Sequence, residues 1–386
     1  MAPTPRIAGK AISRLLVFVS LFNLGFMLGC LPTPELPKRP ADLETAKIDQ
    51  GKADFSKKVF DRYPDLGLIT DLRHGRFKND AESELAVVGT AGAAFVGSDK
   101  RIRKTVHFVP RMLNPVVLIQ SKEGGVPVFL GRGGSWMEKV RLFDQNGAML
   151  WDYGSFWGIN GSAGGDVNGD GKLAFAVGLN GGGGIRLLDM QGHELWSKFA
   201  GNVWHVEVAP AGEHPAGEII HSNADGALTV RNGSGEVLLT CRPTDYVSSF
   251  GLTRWASEPQ PRHLMIPAKD VIIVIDLRGH QTAQLEAPGC VGDTMSSATG
   301  TPVCFSSRRC YQATLVGYSL WDRSVLYLND QTGKIAYREV FDHRCAAVGT
   351  IPATPGSKDD SLLVGCAGEV WKYGSVGGRV STTARD

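Results

Sequence analysis

The sequence predicts an all-β fold, namely a seven-bladed β-propeller of four-stranded antiparallel blades. The first observation is a recurring turn, in which an apolar run reaches Asp or Asn and a Gly follows three residues later. The five pairs are Asp144 with Gly147, Asp189 with Gly192, Asn232 with Gly235, Asp276 with Gly279 and Asp330 with Gly333. Subtracting positions, these glycines are 45, 43, 44 and 54 residues apart. A period near 44 residues is the length of one blade, and a single blade cannot bury both faces of its sheet.

The second observation is that each turn lies between two apolar runs. Residues 140–143 lead into Asp144-Gln145-Asn146-Gly147, and residues 148–151 leave it. Gly tolerates a positive φ, and the Asp carboxylate accepts a hydrogen bond from the backbone two residues on, so the pattern predicts a hairpin. In three units an aromatic residue follows the Gly by four positions, and we expect these rings to pack between blades. They are Trp151, Trp196 and Tyr337.

The third observation is an earlier strand that ends near Gly in several units, such as residues 85–89, 127–131, 174–178 and 361–365. Residues 271–275 have the β-branched content of a buried strand. A turn at residues 97–100 opens the series and one near Gly377 closes it, which gives seven units from about residue 65 to the C-terminus. The 54-residue interval contains one insertion, at residues 290–312.

Composition agrees with this architecture and narrows the partners. The 386 residues include 48 Gly and 20 Pro, as expected for a turn-rich β chain. The net charge of +2 is too small to favour nucleic acid as a partner. The basic run at residues 100–104 is interpreted as a solvated strand face. We expect a monomer that binds no nucleic acid.

The first 29 residues predict a lipoprotein signal peptide. Arg6, Lys10 and Arg14 precede an apolar run of 14 residues, 15–28, which is too short to span a membrane comfortably. The run ends at Gly29-Cys30, which resembles a bacterial lipobox, and this implies cleavage before Cys30 and acylation of its thiol. The alternative is an uncleaved anchor. Either way the domain lies outside the cytoplasm, and Leu31 in place of Asp favours the outer membrane, facing the periplasm or the cell surface.

Residues 30–64 follow as a tether. Four prolines among residues 31–40 predict a stiff extended segment. At ~3.1 Å per residue it places the propeller about 30 Å from the lipid. Residues 41–64 form either a short helix or a strand that closes the ring, and the repeat places the propeller itself at residues 65–386.

The six cysteines other than Cys30 lie in the C-terminal half. They are Cys241, Cys290, Cys304, Cys310, Cys345 and Cys366. An even count in an exported chain predicts up to three disulfides. The pairs Cys304–Cys310 and Cys345–Cys366 are favoured because short separations close easily. A metal or redox site is disfavoured because no Cys-x-x-Cys occurs.

One motif carries metal chemistry. In residues 166–172 the oxygen-bearing side chains of Asp166, Asn168 and Asp170 alternate before Gly171, which is the first half of a calcium-loop pattern. The backbone carbonyl of Lys172 is a fourth candidate ligand. Position 9 is Ala174 instead of an acid, so the prediction is a weak structural calcium site, and the alternative is a vestigial turn.

The same stretch resembles a known repeat family. Residues 165–171, followed by residues 174–178, look like an FG-GAP or VCBS-type repeat of integrin-α-like propellers, and residues 75–80 with 84–89 look like a degraded copy. Arg76 and Lys78 replace acidic ligands in that copy, so it should bind no metal. The later strand-Asp-x-x-Gly units also resemble PQQ-like blades. The resemblance implies an extracytoplasmic interaction domain and no reaction.

No catalytic or cofactor-binding residue is predicted. The nine histidines are scattered, and the run at residues 181–184 lacks the Lys-Ser/Thr of a phosphate loop, so it is interpreted as a flexible blade turn. The leading hypothesis is a non-catalytic scaffold that binds an envelope protein or glycan. The alternative is a polysaccharide hydrolase or lyase with carboxylates on the central face. Carboxylates that converge in the centre of the ring would favour the enzyme. Exposed aromatic residues on the rim would favour the scaffold. An open strand edge would favour a third function, that of an assembly factor for membrane barrels.

Overall fold

The computed structural model describes most of the chain after residue 54. The described residues are 55–77, 82–112, 114–132, 139–211, 214–255, 258, 260–292, 296–305, 309–318, 322–353 and 359–375. The predicted signal peptide, Cys30 and the Pro-rich tether lie outside them. Among the described residues, no helix is both long enough and apolar enough to cross a bilayer.

The described residues form seven four-stranded antiparallel sheets, which confirms the predicted seven-bladed propeller. Blade 1 contains β2(Ile69–Gly75), β3(Glu84–Gly89), β4(Gly92–Val96) and β5(Ile102–His107). Blade 2 contains β6(Val116–Ile119), β7(Val128–Gly131), β8(Val140–Phe143) and β9(Met149–Tyr153). Blade 3 contains β10(Ile159–Gly165), β11(Ala174–Leu179), β12(Ile185–Leu188) and β13(Glu194–Lys198). Blade 4 contains β14(Val203–Ala209), β15(Glu218–Asn223), β16(Leu228–Arg231) and β17(Val237–Cys241). Blade 5 contains β18(Gly251–Thr253), β19(His263–Ala268), β20(Val271–Asp276) and β21(Gln281–Glu286). Blade 6 contains β22(Ser296–Cys304), β23(Cys310–Tyr318), β24(Arg323–Asn329) and β25(Ile335–Phe341).

Blade 7 joins the two ends of the chain. Its strands are β26(Cys345–Ile351), β27(Ser361–Cys366), β28(Glu369–Ser375) and, outermost, β1(Phe55–Arg62), which pairs antiparallel with β28. A short 3₁₀ helix, Pro64–Leu66, leads from β1 into blade 1. The propeller therefore includes residues before the boundary expected at residue 65. The outermost strand of blade 7 arrives from the N-terminal side and not through a turn near Gly377, a residue outside the described part of the chain.

The recurring Asp/Asn-x-x-Gly turns have the predicted hydrogen bonds. In all five, the first side-chain oxygen accepts from the backbone N–H groups two and four residues on, as Asp144 does from Asn146 and Ala148 at 2.8 and 2.9 Å. The glycine that follows has φ between +81° and +86° in every case. This left-handed conformation explains why glycine recurs there.

Packing between neighbouring blades follows the predicted repeat. The Trp151 indole N–H of blade 2 donates to the Met190 carbonyl of blade 3 at 3.1 Å, and Trp196 of blade 3 donates to the Gly233 carbonyl of blade 4 at 2.8 Å. The Tyr337 ring lies 5.3 Å from that of Phe55 in blade 7. The prediction that these aromatics pack between blades is confirmed. Seven apolar clusters, one at each blade interface, form the core of the described ring.

Two of the predicted disulfides form. Cys304–Cys310 closes the long hairpin of β22 and β23, which accounts for the insertion, and Cys345–Cys366 joins β26 to β27. Cys241 and Cys290 form no disulfide, so the upper bound of three disulfides is not reached.

Candidate functional site

One face of the ring collects the loops at which the innermost strands begin. In blade 3, Ile159 pairs with Leu179, and Ile185 pairs with Lys198, so the loops next to these residues lie at the same end of the sheet. These loops are residues 154–158 and 180–184, together with residues 199–202, which lead into blade 4. We refer to this end of the ring as the upper face.

Among the described residues of the upper face, three aromatic side chains are exposed to solvent. Phe156 is 91% exposed, Phe199 is 84% exposed and Trp157 is 43% exposed. Large aromatic side chains are usually packed in the core or at interfaces, and clustered exposed ones mark binding surfaces. We call Phe156, Trp157 and Phe199 the aromatic platform.

The glycine run of residues 181–184 forms the floor of the platform. A Cβ atom on Gly183 would lie 2.9 Å from Cβ of Trp157, and one on Gly181 would lie 3.0 Å from the Trp157 ring. One side of the Trp157 ring therefore packs on glycine backbone. The interpretation of this run as a merely flexible turn is incomplete, because its missing side chains make room for the indole.

Hydrogen bonds tie the platform loops together. Asn180 N–H donates to the Gly158 carbonyl at 3.2 Å, and Gly184 N–H donates to the Gly201 carbonyl at 3.1 Å. The Asn160 side chain donates to Asn202 Oδ1 at 2.9 Å. The three loops thus support one another, and a surface ordered before binding loses less conformational entropy when a partner arrives.

The centre of the ring is a channel of about 430 Å³ lined by residues from all seven blades. Arg132 of blade 2 reaches past blade 3 to blade 4, where its guanidinium lies 2.8 Å from Glu207 and donates to the Val206 carbonyl. His205 Nε2 lies 3.2 Å from the same carboxylate. Apart from Asn160, the innermost strand of blade 3 lines the channel with small residues, among them Gly161, Ala163 and Gly165.

The carboxylates in the channel are held by cations. Burial opposes ionisation of Glu207. The charges and hydrogen bonds of Arg132 and His205 outweigh burial and lower the pKa of Glu207 to about 2. Asp71 pairs with Arg73 at 3.0 Å and accepts from the Leu118 N–H at 2.9 Å. Wherever an Asp or Glu pKa departs from its usual range in the described residues, it is lowered. None of these shifts gives the raised pKa of a glycosidase general acid.

The predicted calcium loop lies on the opposite, lower face, between β10 and β11. Both Asp166 oxygens are engaged, since they accept from the N–H groups of Asn168, Gly169 and Gly171 at 2.8–3.2 Å. A Cβ on Gly233 of blade 4 would lie 2.1 Å from Asn168 Oδ1, so this amide packs against the next blade.

The remaining candidate ligands of the loop face solvent. The exposed Asp170 carboxylate accepts from the Lys172 N–H at 2.9 Å, and the Lys172 ammonium lies 3.6 Å from it. The loop is therefore held by its own hydrogen bonds, and a calcium ion would have to share the carboxylate oxygens of Asp166 and Asp170 with these donors. Calcium binding by Asp166, Asn168, Asp170 and the Lys172 carbonyl stays a prediction.

One cluster of potential metal ligands occurs among the described residues, namely His343, Cys345 and Cys366. Its two cysteines form a disulfide, so no thiolate is available to bind a metal there.

Comparison with solved structures supports the architecture. The chain is similar to a chain in the crystal structure of BBS1N in complex with ARL6DN, soaked with mercury, with a TM-score of 0.51 and 14% identity over 86% of this chain and 99% of that one. It is also similar to a streptogramin B lyase, with a TM-score of 0.51 and 12% identity over 83% of this chain and 98% of that one. At such identities these similarities establish the propeller fold alone. No family model matches the sequence, and no curated protein matches it significantly.

The sequence did not reveal the platform. Phe156, Trp157 and Phe199 lie in the connections between repeats, where no periodic pattern marks them. A usable signal was present nevertheless: aromatic residues in connections that should be polar, near a run of four glycines.

Proposed function

We propose that this protein is a non-catalytic binding scaffold that is held at the cell envelope and engages its partner through the upper face. The observation that carries the proposal is the aromatic platform, three exposed rings on adjoining loops that are fixed by hydrogen bonds. Loops at one end of a propeller are a common place for recognition, because the blades beneath them hold the loops rigidly.

The chemistry of the channel supports a scaffold over a polysaccharide hydrolase. A retaining or inverting glycosidase needs two carboxyl groups at the scissile bond, one of them protonated. Glu207 and Asp71 are each paired with an arginine, and the lowered pKa of Glu207 keeps it ionised at neutral pH. The exposed aromatics are also the feature that sequence analysis assigned to a scaffold.

The test compares two sets of exposed apolar side chains. The platform variant carries Phe156→Ala, Trp157→Ala and Phe199→Ala. The matched control carries Leu150→Ala, Leu195→Ala and Leu238→Ala, which are 48%, 52% and 57% exposed on the outermost strands of blades 2 to 4. All three proteins carry Cys30→Ser, so that no acyl chain holds them in the membrane. In co-sedimentation with a purified envelope fraction, we expect the platform variant to bind at least about tenfold more weakly than the protein with the intact platform, equivalent to ~1.4 kcal/mol, and the control to bind normally. Equal binding by all three proteins would refute the proposal.

The same proposal includes attachment to the membrane through an acylated Cys30, with the propeller in the periplasm or at the cell surface and an outer-membrane address. Support comes from the leader and the proline-rich tether in the sequence. Cys30→Ser should move the protein from the membrane fraction to the soluble fraction. Continued membrane association would favour an uncleaved anchor.

Kinship with FG-GAP/VCBS-type repeats and a structural calcium ion at Asp166 belong to the proposal as well. Asp170→Ala distinguishes a calcium site from a simple turn. Without calcium, the exposed Asp170 carboxylate accepts only the Lys172 N–H from the backbone, so its loss should matter little to stability. With calcium bound, the substitution should lower the melting temperature in calcium and leave it unchanged in chelator. The same shift under both conditions would reduce the loop to a turn.

A further inference from the structure

We propose that the ligand of the aromatic platform is a neutral glycan, bound as an oligosaccharide across blades 3 and 4. This inference rests on the proposed function and specifies the chemistry of its partner. It is argued from the charge of the platform, its amide groups and the arrangement of its rings.

The loops of the platform contain no charged residue, and Lys139, which lies beside Gly154, is paired with Asp152 at 2.7 Å. Residues 154–160, 180–184 and 199–204 contain no Asp, Glu, Lys, Arg or His. These are 18 positions in a chain that is 21% charged, so about four charged residues would be expected. A surface that binds a protein is usually bordered by a polar rim with charges that set orientation and specificity. A neutral sugar chain offers no charge to complement, and these loops match it in that respect.

Amide groups supply the polar contacts in place of charges. Asn180 Oδ1 accepts from Gly181 N–H at 2.7 Å, and Asn202 Oδ1 accepts from Asn160 at 2.9 Å. These bonds fix both side chains by their oxygens, and within the described residues the Nδ2 groups of Asn180 and Asn202 have no hydrogen-bond partner. Amide N–H groups donate to the oxygens of sugar hydroxyls, and the hydroxyl O–H groups can themselves donate.

The rings provide faces on which sugars can stack. Trp157 packs on the glycine floor and is 43% exposed, and the Phe156 ring stands at 74° to it with centroids 6.0 Å apart. The apolar C–H face of a pyranose packs on such an indole face by the same dispersion and area burial that apolar side chains use. Phe199 lies in the next connection, beyond Gly184, and adds a second contact, which favours an oligosaccharide over a monosaccharide.

Binding to defined sugars tests the chemistry. The full chain is titrated with maltohexaose, cellohexaose and chitohexaose, and with neutral and acidic polysaccharide pools separated from the protein's own envelope by anion exchange. We expect binding to at least one neutral probe, weakened at least tenfold by Trp157→Ala or Asn180→Ala. Leu195→Ala and Leu238→Ala should leave the affinity unchanged. Raising salt from 50 to 500 mM should change it less than twofold, since no charges are in contact.

Treatment of the envelope fraction separates this inference from the proposed function. Proteinase K should spare platform-dependent co-sedimentation. Periodate, which cleaves vicinal diols, should abolish it for a glycan that has such diols, as 1,4-linked glucans do. The reverse result identifies a protein partner; it overturns the glycan inference and leaves the scaffold intact. Preference for the acidic pool with strong salt dependence would also overturn the inference. If the platform variant binds the untreated fraction as wild type does, both proposals fail.

Discussion

Two phenylalanines at opposite sides of the ring show how the molecule divides its tasks. Phe156, in blade 3, is 91% exposed and belongs to the platform. Phe55, in β1, is 8% exposed, and its ring lies 5.3–5.5 Å from those of Phe305, Tyr311 and Tyr337 in blade 6. The first ring is available to a partner, whereas the second holds the strand that closes the propeller.

The region around Phe55 is reinforced in several further ways. Lys57 pairs with Glu339 and lies 4.2 Å from the centroid of Trp371. Glu339 also accepts from the hydroxyls of Tyr337 and Tyr373 at 2.7 and 2.8 Å. Both disulfides belong to blades 6 and 7. Covalent links are thus concentrated where the chain ends meet, while blades 3 and 4, which carry the platform, are held by packing and hydrogen bonds.

The largest predicted effect comes from Phe55→Ala. Removing a buried phenylalanine costs about 3–5 kcal/mol, and here the loss falls on the ring contacts that join β1 to the aromatic cluster of blade 6. Phe156→Ala should change the free energy of unfolding by less than about 0.5 kcal/mol, because the exposed ring contributes little to stability. Urea unfolding of both variants measures the difference. Similar losses in the two would mean that the ring does not depend on β1 for closure.

The next effect comes from the disulfide of blade 7. Replacing Cys345 and Cys366 by alanine opens a link across 21 residues and should cost about 3 kcal/mol. Hydrogen exchange should accelerate in blades 6 and 7 and stay unchanged in the platform loops. The double replacement of Cys304 and Cys310 is the control, and its shorter loop predicts a smaller loss. Faster exchange in residues 180–184 would show that the two halves are not independent.

The repeat and the closure differ in how far sequence could predict them. Asp144 and its four equivalents make the same local turn, so each copy reports the same geometry and the blade count follows. β1 has no such signature, because Phe55 and Lys57 make their contacts with residues more than 200 positions away in the sequence. Sequence reasoning could name a closing strand as one of two options and could not choose between them. The local disulfide pairs were predictable because adjacent antiparallel strands bring their cysteines together.

The candidate site escaped sequence reasoning for a similar reason. Trp157 and residues 181–184 are separated by a hairpin, and neither is informative alone: the glycines suggest flexibility and the tryptophan suggests a core. Contact between them gives the glycines a packing role and leaves the tryptophan half-exposed. The Arg132–Glu207 pair likewise joins blades 2 and 4 across the channel and has no linear motif.

Acid should lower the free energy of unfolding through His221 of blade 4, one of the two blades that carry the platform. Burial, together with the charge of Arg231 3.0 Å away, lowers the His221 pKa to about 4. The unfolded chain binds this proton near pH 6.5 and the folded chain resists it, so stability is complete above pH 6.5 and falls as the pH drops towards 4. Between pH 7 and pH 5 the loss is roughly 2 kcal/mol.

His221→Gln, which keeps an acceptor for Arg231 but does not titrate, should flatten this part of the stability–pH curve. Glu207 contributes only at lower pH, because its lowered pKa gives stability above pH 4.5 that is lost towards pH 2. Chemical unfolding at pH 7, 6 and 5 measures the slope. A wild-type slope retained in His221→Gln would assign the acid sensitivity to other groups.

A small change in stability, and the sharpest test of the platform, comes from adjacent glycines. A Cβ on Gly183 would lie 2.5 Å from Cβ of Leu179 and 2.9 Å from Cβ of Trp157, so Gly183→Ala must push the loop and the indole apart. A Cβ on Gly182 would lie 3.3 Å from the rim of the indole, a contact that a small ring movement relieves. Because overpacking in a surface loop is partly relieved by solvent, Gly183→Ala should cost only about 1 kcal/mol in unfolding free energy. It should nevertheless reduce envelope binding nearly as much as Trp157→Ala does, while Gly182→Ala keeps most of it. If Gly183→Ala bound normally, the position of Trp157 on its glycine floor would be irrelevant to recognition, and exposure of the rings alone would have to explain binding.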